Sequence, residues 1–496
     1  MVSHSQNAGK KLPTLDQLRS VHVIGVCGTL MGAFAAFLKR RGIQVTGSDQ
    51  NVYPPMSDVL RNAGVTLFSG YDAGNLTRLP GKPDLVVIGN VISATNPEAR
   101  AAIDGGYAYS SLPEAMERLM LADTRNIVVS GTHGKTTTSC LMSHVLAACG
   151  RDPSYFFGGV AHDLPFSFNV PSVASGHPFV LEGDEYDTAF WDKVPKFTHY
   201  LPDDAILTSV EYDHADIYPD FQAVVSAFEG LVDRIRPDGR LIACHDFAII
   251  REIAKRAKVP VLSYGRDSSA RFRPARERSE GELTCFEVAD AGKTVDEIAL
   301  RIPGNHNVIN ALAVWIEARQ LGLDVDTVRK AMLSFRGVKR RQEVRGEVRG
   351  VLVLDDFAHH PTAVRETLKA LRAKYPGRRL IAVFEPRSAT SRRKVFQEEF
   401  GRAFQEADRI YIAKPYDQSK IPQDQQFSSD QLVDDINRLG RPAAQFDDVE
   451  EGVSRVVDDT RAGDLVAVMS NGGFDGFIPK LLKALEAAAL PQALAR

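Results

Sequence analysis

The sequence predicts an α/β protein of three domains, with helices packed on largely parallel sheets. Three observations predict it. Short apolar runs alternate with helix-length segments along most of the chain. The turns after those runs carry glycines or clustered polar residues, where open α/β sheets place ligands. The chain has 496 residues, too many for one core when a domain holds about 150.

The first domain, expected over residues 1–124, opens with a polar stretch, Met1 to Lys11, that reads as a loose tail without a signal-peptide core. Val21 to Val26 reads as a buried parallel strand. It runs into Gly25-Val26-Cys27-Gly28-Thr29-Leu30-Met31-Gly32, then a helix to Arg41. A second strand, Ile43 to Gly47, ends at Ser48-Asp49. Glycines at the first turn and an acid about 20 residues later give a Rossmann-like unit. The spacing G-x-x-G-x-x-x-G is not the dinucleotide fingerprint, so a turn that serves only chain reversal stays open. A strand from Asp84 to Gly89 leads to Asn90 and to Ser93-Ala94-Thr95-Asn96-Pro97-Glu98. Pro113 to Ala122 reads as a helix.

The central domain, expected over 125–338, holds the most informative stretch: Ile127-Val128-Val129-Ser130-Gly131-Thr132-His133-Gly134-Lys135-Thr136-Thr137-Thr138. A buried strand, a Gly-rich turn, Lys-Thr and a helix to Cys149 make a P-loop-like phosphate cradle. Backbone N–H groups and the helix N-terminus face an anion. Lys135 would neutralise phosphate, and the Thr136 hydroxyl would ligate Mg²⁺. The full P-loop pattern wants glycine where this chain has Val129, so an ordinary Gly-rich turn before a helix is the alternative. Phe179 to Leu181 is a strand leading into Glu182-Gly183-Asp184-Glu185-Tyr186-Asp187, read either as a solvated turn or as carboxylates for a hard cation. Ala205 to Val210 is another, ending in Glu211-Tyr212-Asp213-His214. The polar stretch Arg266 to Glu282 reads as solvated loop and turn. Asn305 is a candidate N-cap for a helix to Gln320, with Asn307 and Asn310 on one face.

A basic segment, Phe335 to Glu343, reads as a hinge. Beyond it, over 339–496, strands near Val351–Leu354, Arg379–Phe384, Ile410–Ala413 and Leu465–Met469 alternate with helices. The helices fall near Pro361–Tyr375, Arg392–Glu406, Ser429–Leu439 and Glu450–Asp459, giving a second Rossmann-like unit.

Bulk composition excludes several classes. Net charge is −3, so no nucleic-acid partner is expected. No apolar run reaches the ~20 residues of a membrane span. Five scattered cysteines form no C-x-x-C pair, which points to a reducing, cytoplasmic setting.

Gly131-Thr132-His133-Gly134-Lys135-Thr136-Thr137, the Glu182 acidic run, Asp213-His214, His306-Asn307-x-x-Asn310-Ala311 and Asp355-Asp356-x-x-His359-His360-Pro361 occur in one order. That combination resembles the Mur ligases of bacterial peptidoglycan synthesis, from Val21 to about Phe477. It looks most like the branch acting on UDP-N-acetylmuramate itself. Within that branch, several stretches resemble the recycling members that attach a preformed L-alanyl-γ-D-glutamyl-meso-diaminopimelate tripeptide. They are Gly47-Ser48-Asp49 with Val52-Tyr53-Pro54-Pro55-Met56-Ser57, Glu182 through Phe190, Phe384-Glu385-Pro386-Arg387-Ser388 and Met469-Ser470-Asn471-Gly472-Gly473-Phe474. Ligases that add L-alanine alone are the rival within the branch. A P-loop switch or transport ATPase is the rival of another class.

The resemblance implies an ATP- and Mg²⁺-dependent amide ligase working through an acyl phosphate, as a monomer or weak homodimer. It implies that Gly131 to Thr137 and Lys135 hold phosphates, with Thr136 and Glu182 on one metal and His214 on another. Lys135, Glu182 and His214 are the implied catalytic residues. Asn307 and Asn310 would contact ATP, Arg341 the γ-phosphate and Asp356 the ribose. Gly28, Thr29, Asp49, Asn90 and Asn96 would serve the UDP-sugar, and Arg387 and Asn471 the peptide carboxylates. The carbamylated lysine of some Mur ligases is not expected: no lysine lies between Lys196 and Lys255. Glu229, near that position, reads as solvated.

Overall fold

The computed structural model describes residues 12–53, 56–78 and 81–489. The expected N-terminal tail, and Pro54-Pro55, lie outside them.

Residues 20–110 build a five-stranded parallel sheet from β1 (Ser20–Ile24), β2 (Gln44–Asp49), β3 (Thr66–Ser69), β4 (Leu85–Ile88) and β5 (Tyr109–Ser110). The order is β3-β2-β1-β4-β5. β1 is central, and its Val21, Val23 and Ile24 are fully buried. Its one polar member in that run, His22, is fully buried too, and a buried polar group needs partners. It has them in Thr46 Oγ1 at 2.7 Å and Glu98 Oε1 at 2.6 Å. The expected helix Pro113–Ala122 is in fact two pieces. An α-helix, Leu112–Met116, passes into a π-helical turn, Glu117–Leu121.

Ten strands form the central sheet: β6 (Arg125–Ser130), β7 (Ser154–Phe156), β8 (Phe168–Asn169), β9 (Pro178–Gly183), β10 (Asp204–Leu207), β11 (Arg240–Cys244), β12 (Val261–Tyr264), β13 (Phe272–Glu280), β14 (Leu283–Asp290) and β15 (Lys293–Leu300). The order is β15-β14-β13-β12-β11-β10-β6-β9-β7-β8. β6 lies between β9 and β10, parallel to both. Two expectations are corrected here. The stretch Arg266–Glu282 is not loop, because most of it is β13, the first strand of an antiparallel meander with β14 and β15. Its far half is exposed, so charged side chains replace the apolar alternation that marks a strand. Arg276 pairs Glu287, and Arg278 pairs Glu280 and Glu297. Asn305 is not the N-cap of its helix; Gly304 is, at φ +105°, and Asn305 is the first helical residue.

The third sheet holds β16 (Glu343–Val348), β17 (Val351–Asp356), β18 (Leu380–Phe384), β19 (Arg409–Ala413), β20 (Ala443–Phe446) and β21 (Leu465–Met469). The order is β16-β17-β21-β18-β19-β20, parallel except for edge strand β16. Sequence reading missed β16, β20 and the last helix, Phe477–Ala489. It also made one helix of Arg392–Glu406, where a 3₁₀ turn, Lys394–Phe396, precedes a short helix, Gln397–Ala403.

The first two sheets share one apolar core. Phe34 and Phe37, on the first helix, meet Phe168 of β8 edge-on at 6.0 and 5.2 Å. Phe190 and Trp191 pack on the other face of the N-terminal sheet. His199 adds a polar clasp, with Nδ1 2.7 Å from Glu117 and Nε2 2.8 Å from Asp192. The third sheet keeps its own two core layers. No helix among the described residues is long and apolar enough to cross a membrane.

Burial alone would lower the His199 pKa, but hydrogen bonds to Asp192 and Glu117 outweigh it and push it up to about 9. The folded value exceeds the ordinary 6.5, so the clasp is complete below pH 6.5 and is lost as pH rises through about 9. The Tm of wild-type protein should therefore fall across that window more than the Tm of His199→Gln. Equal slopes in differential scanning calorimetry would dismiss the clasp.

Candidate active site at the strand ends of the central sheet

Register brings the site together. Ser130 of β6 stands beside Leu207 of β10 and Gly183 of β9, so three strands end level. The segments leaving these strands therefore converge: the phosphate loop, the acidic run and the Glu211–His214 stretch. Glu182 and Gly183 lie inside β9 rather than after it, which fixes the Glu182 backbone.

The loop turns at Gly131 (φ +136°) and Gly134 (φ +83°), and helix Lys135–Ala148 starts directly after. N–H groups in its first turn lack partners within the helix. The loop is braced from the segment just after β10: Thr132 N–H donates to Ser209 O at 3.0 Å, His133 N–H to Ser209 Oγ at 2.8 Å. Thr208 Oγ1 donates to His133 O at 2.6 Å. The backbone donors of Thr132 and His133 are thus used by the scaffold. Those of the helix start, through Thr136 and Thr137, are of the kind that can receive an anion. A Cβ on Gly131 would lie 2.3 Å from Thr208 Oγ1 and below 3 Å from Ser209 backbone, so only glycine fits.

Lys135 is nearly buried. Its Nζ donates to Gly131 O at 2.6 Å and to Glu185 Oε2 at 2.8 Å. Burial would lower its pKa, yet Glu185, Asp184 and Glu182 hold it above the ordinary value. Glu185 Oε1 lies 3.1 Å from His214 Nε2. Burial opposes the charged imidazole, but the Glu185 bond and Asp213 push His214 up to about 9. Burial would raise the Asp184 carboxyl; Lys196 and Lys135 outweigh it and hold it far below its usual range. Asp184, Glu185 and His214 present donor atoms within 4.8 Å of one another. Thr136 Oγ1 donates to Glu182 Oε1 at 2.8 Å, and Gly158 N–H donates to Glu182 Oε2 at 2.8 Å. Hydroxyl and carboxylate oxygens make a donor set for a hard divalent cation. Glu185 and Asp184 belong to the acidic run but were not singled out, because sequence does not say which acid of a run turns inward.

The remaining expected residues divide between exposed and scaffold positions. Asn310 Oδ1 packs against Gly134, 2.7 Å from where a Cβ would sit. Asn307 Nδ2 donates to Pro303 O at 2.7 Å, and its Oδ1 accepts from Asn310 Nδ2 at 3.3 Å, so the Asn pair is largely satisfied internally. Arg341 is exposed, its guanidinium 4.8 Å from the Phe357 ring centroid. It stands between Arg340 (φ +59°) and Gln342 (φ +52°), two left-handed residues. Asp356 is buried and accepts Gln342 N–H and Ala358 N–H, both at 2.8 Å. Burial raises its pKa despite Arg341. Thr367 Oγ1 donates to it as well, at 3.3 Å, so Asp356 ties the hinge at Gln342 to the segment after β17. In the N-terminal domain, Gly28 caps the helix that Thr29 starts. Asp49 accepts Cys27 N–H at 2.9 Å and so braces the Gly-rich turn. Asn90 is exposed, whereas the Asn96 oxygen caps helix Pro97–Asp104. Arg387 lies 3.9 Å over the Tyr416 ring and 3.2 Å from Glu385. Asn471 Oδ1 is buried without a hydrogen bond. Glu229 lies on helix Phe221–Asp233, half-buried, with its charge felt by Arg256.

The C-terminal domain docks on this site. Thr362 Oγ1 donates to Glu211 Oε1 at 2.9 Å, and His360 Nε2 lies 3.2 Å from Tyr212 O. The rings of His360 and His133 are 4.7 Å apart, and His133 Nε2 lies 2.8 Å from Glu211 Oε2. Burial would raise the Glu211 carboxyl, but His133 and Thr362 hold it at about 2. Burial and the neighbouring His133 push His360 down to about 3. Glu211 and His360 lie inside motifs visible in the sequence, where nothing assigns either of them a site.

Three family models match in succession: the Mur ligase family catalytic domain over residues 20–124, the Mur ligase middle domain over 129–318, and the Mur ligase glutamate ligase domain over 340–472. The chain belongs to the Mur ligase family, and it is an ATP-dependent, amide-forming ligase. It is 37% identical, over 94% of its length and 98% of the relative's, to the UDP-N-acetylmuramate–L-alanyl-gamma-D-glutamyl-meso-2,6-diaminoheptandioate ligase of Escherichia coli. It is 35% identical to the UDP-N-acetylmuramate–L-alanine ligase of Kineococcus radiotolerans, over 96% and 98%. A crystal structure of the murein peptide ligase of Psychrobacter arcticus matches with a TM-score of 0.70 at 32% identity, over 94% of this chain and 99% of that one.

Gly131→Ala should weaken ATP binding by more than about tenfold, or ~1.4 kcal/mol. Calorimetric titration measures it, and an unchanged affinity would take the loop backbone out of the site.

Proposed function

We propose that the chain joins L-alanyl-γ-D-glutamyl-meso-diaminopimelate to UDP-N-acetylmuramate, at the expense of ATP, in peptidoglycan recycling in the cytoplasm. The observation that carries the reading is likeness over nearly the whole chain to ligases named for that reaction, at 34–37% identity. The rival acceptor, L-alanine alone, has support from relatives of similar identity and coverage. The Phe384-Glu385-Pro386-Arg387-Ser388 stretch favours the peptide.

The reaction has two steps. An oxygen of the lactyl carboxylate attacks the γ-phosphorus, ADP leaves, and an acyl phosphate forms. The free L-alanyl amine then attacks that carbonyl carbon. The amine loses a proton, phosphate leaves, and an amide remains. Two anions meet in the first step, so neutralising charge is the main task. Lys135 and the start of helix Lys135–Ala148 hold β- and γ-phosphate oxygens. Mg²⁺, held by Thr136 and Glu182, would neutralise phosphate charge, and His214 would serve a second ion beside Asp184 and Glu185. Asn307 and Asn310 line the nucleotide side. Arg341 reaches toward the γ-phosphate from the hinge, with Asp356 fixing the backbone around it. Gly28, Thr29, Asp49, Asn90 and Asn96 serve the UDP-sugar, with Asp49 and Asn96 acting through the loops that they brace. Arg387 forks toward a peptide carboxylate, and the Asn471 amide faces the same ligand. Domain limits at 124 and 338 go with this division of labour.

Phosphate release with ATP and UDP-N-acetylmuramate should be faster with the tripeptide than with L-alanine, by at least about tenfold in kcat/KM. A preference for L-alanine would overturn the acceptor assignment. Lys135→Ala should abolish ligation, and Lys135→Arg should not restore it, because a planar fork does not fit the place of a point charge. Circular dichroism should remain that of the wild type. Retained turnover in Lys135→Ala would remove the phosphate-loop assignment.

A further inference from the structure

His214 is a non-glycine residue in left-handed backbone, at φ +54°. Such a residue persists only where its surroundings hold it there. Its neighbours in sequence are held on both sides. On one side, Asp213 Oδ1 accepts the N–H of His214 itself at 2.7 Å. The same oxygen accepts a second hydrogen bond, from Thr390 Oγ1 at 2.5 Å. On the other side, Ala215 N–H donates to Thr390 Oγ1 at 3.3 Å. One hydroxyl therefore spans the His214 turn, donating before it and accepting after it. Thr390 and Asp213 are both buried, at 3% and 5% exposure, so water does not substitute for either bond.

Thr390 comes from the C-terminal domain, on the loop after β18. That loop is braced by its own bonds. Ser388 Oγ and Ser391 Oγ are 2.9 Å apart, Ser391 N–H donates to Ser388 Oγ at 2.9 Å, and Arg393 N–H donates to Thr390 O at 2.9 Å. It is also the loop that carries Arg387.

We infer that Thr390 is a positioning residue: its hydroxyl clamps the left-handed turn at His214, so the imidazole takes its place beside Glu185 only when the C-terminal domain is docked. The residues that hold the acceptor peptide and those that hold the reacting phosphate are then set by one contact. This rests on the proposed role of His214 toward a cation. A valine at 390 keeps the shape and loses both bonds. A serine keeps both bonds.

Two readouts test it on the full chain. In ligand-free protein, hydrogen exchange at the Ala215 amide should rise about tenfold in Thr390→Val and stay at the wild-type rate in Thr390→Ser. In tripeptide-dependent ADP release, half-saturating Mg²⁺ should rise about tenfold in Thr390→Val, the scale expected when support behind a metal ligand is lost, and recover in Thr390→Ser. Thr362→Val breaks a contact in the same seam without touching the His214 turn, and should leave half-saturating Mg²⁺ where it was. An unchanged Ala215 rate or an unchanged Mg²⁺ dependence in Thr390→Val overturns the clamp. So does an equal Mg²⁺ shift in Thr362→Val, which would assign the effect to the seam as a whole. If the wild type releases no ADP with either acceptor, the proposed function fails instead, and the exchange rates alone decide for or against the clamp.

Discussion

A nearly buried ammonium is the constraint on which the site depends. Lys135 lies at 12% side-chain exposure, where an unpaired charge would cost several kcal/mol. It is kept charged by Glu185, with Asp184 and Glu182 close by. Glu185 in turn holds His214, Asp184 holds Lys196, and Glu182 holds Thr136 and Gly158. Glu185 and Glu182 each hold two partners and Asp184 holds Lys196, and the set spans the ends of β6, β9 and β10. On the proposed function, a phosphate group arriving at the loop would meet charges that are already oriented, with little reorganisation left for the reaction itself.

Much of this was legible in the chain. The parallel strands announce themselves as apolar runs because both of their faces are buried, and the phosphate loop as glycines around Lys-Thr. β13 was not legible. Its outer half is exposed, so its residues answer to solvent and to cross-strand ion pairs rather than to a core. Edge strands β16 and β20 fail for a related reason, since β16 alternates charge with small residues. In the site, the residue types were legible and their directions were not. Asp356, a carboxylate that the motif marks for the nucleotide, also accepts from the Gln342 and Ala358 amides and so braces the hinge. Asn96 likewise gives its oxygen to a helix cap. Glu185 became visible only when strand register brought it between Lys135 and His214. Thr390 carries no sequence signal at all, because its partners lie 175 and 177 residues away.

The two seams of the molecule differ in kind. Between the N-terminal and central sheets the contact is apolar, with Phe34, Phe37 and Phe168 in one continuous core. Between the central sheet and the C-terminal domain the contacts are mainly hydroxyls, carboxylates and imidazoles, with the Tyr212–Phe396 ring pair an apolar member. Burying apolar area is what gives association a large heat-capacity change. Parting the first seam would therefore carry a large one and parting the second a small one. The enthalpy of parting the C-terminal seam should thus stay nearly constant with temperature, whereas that of parting the N-terminal seam should change steeply.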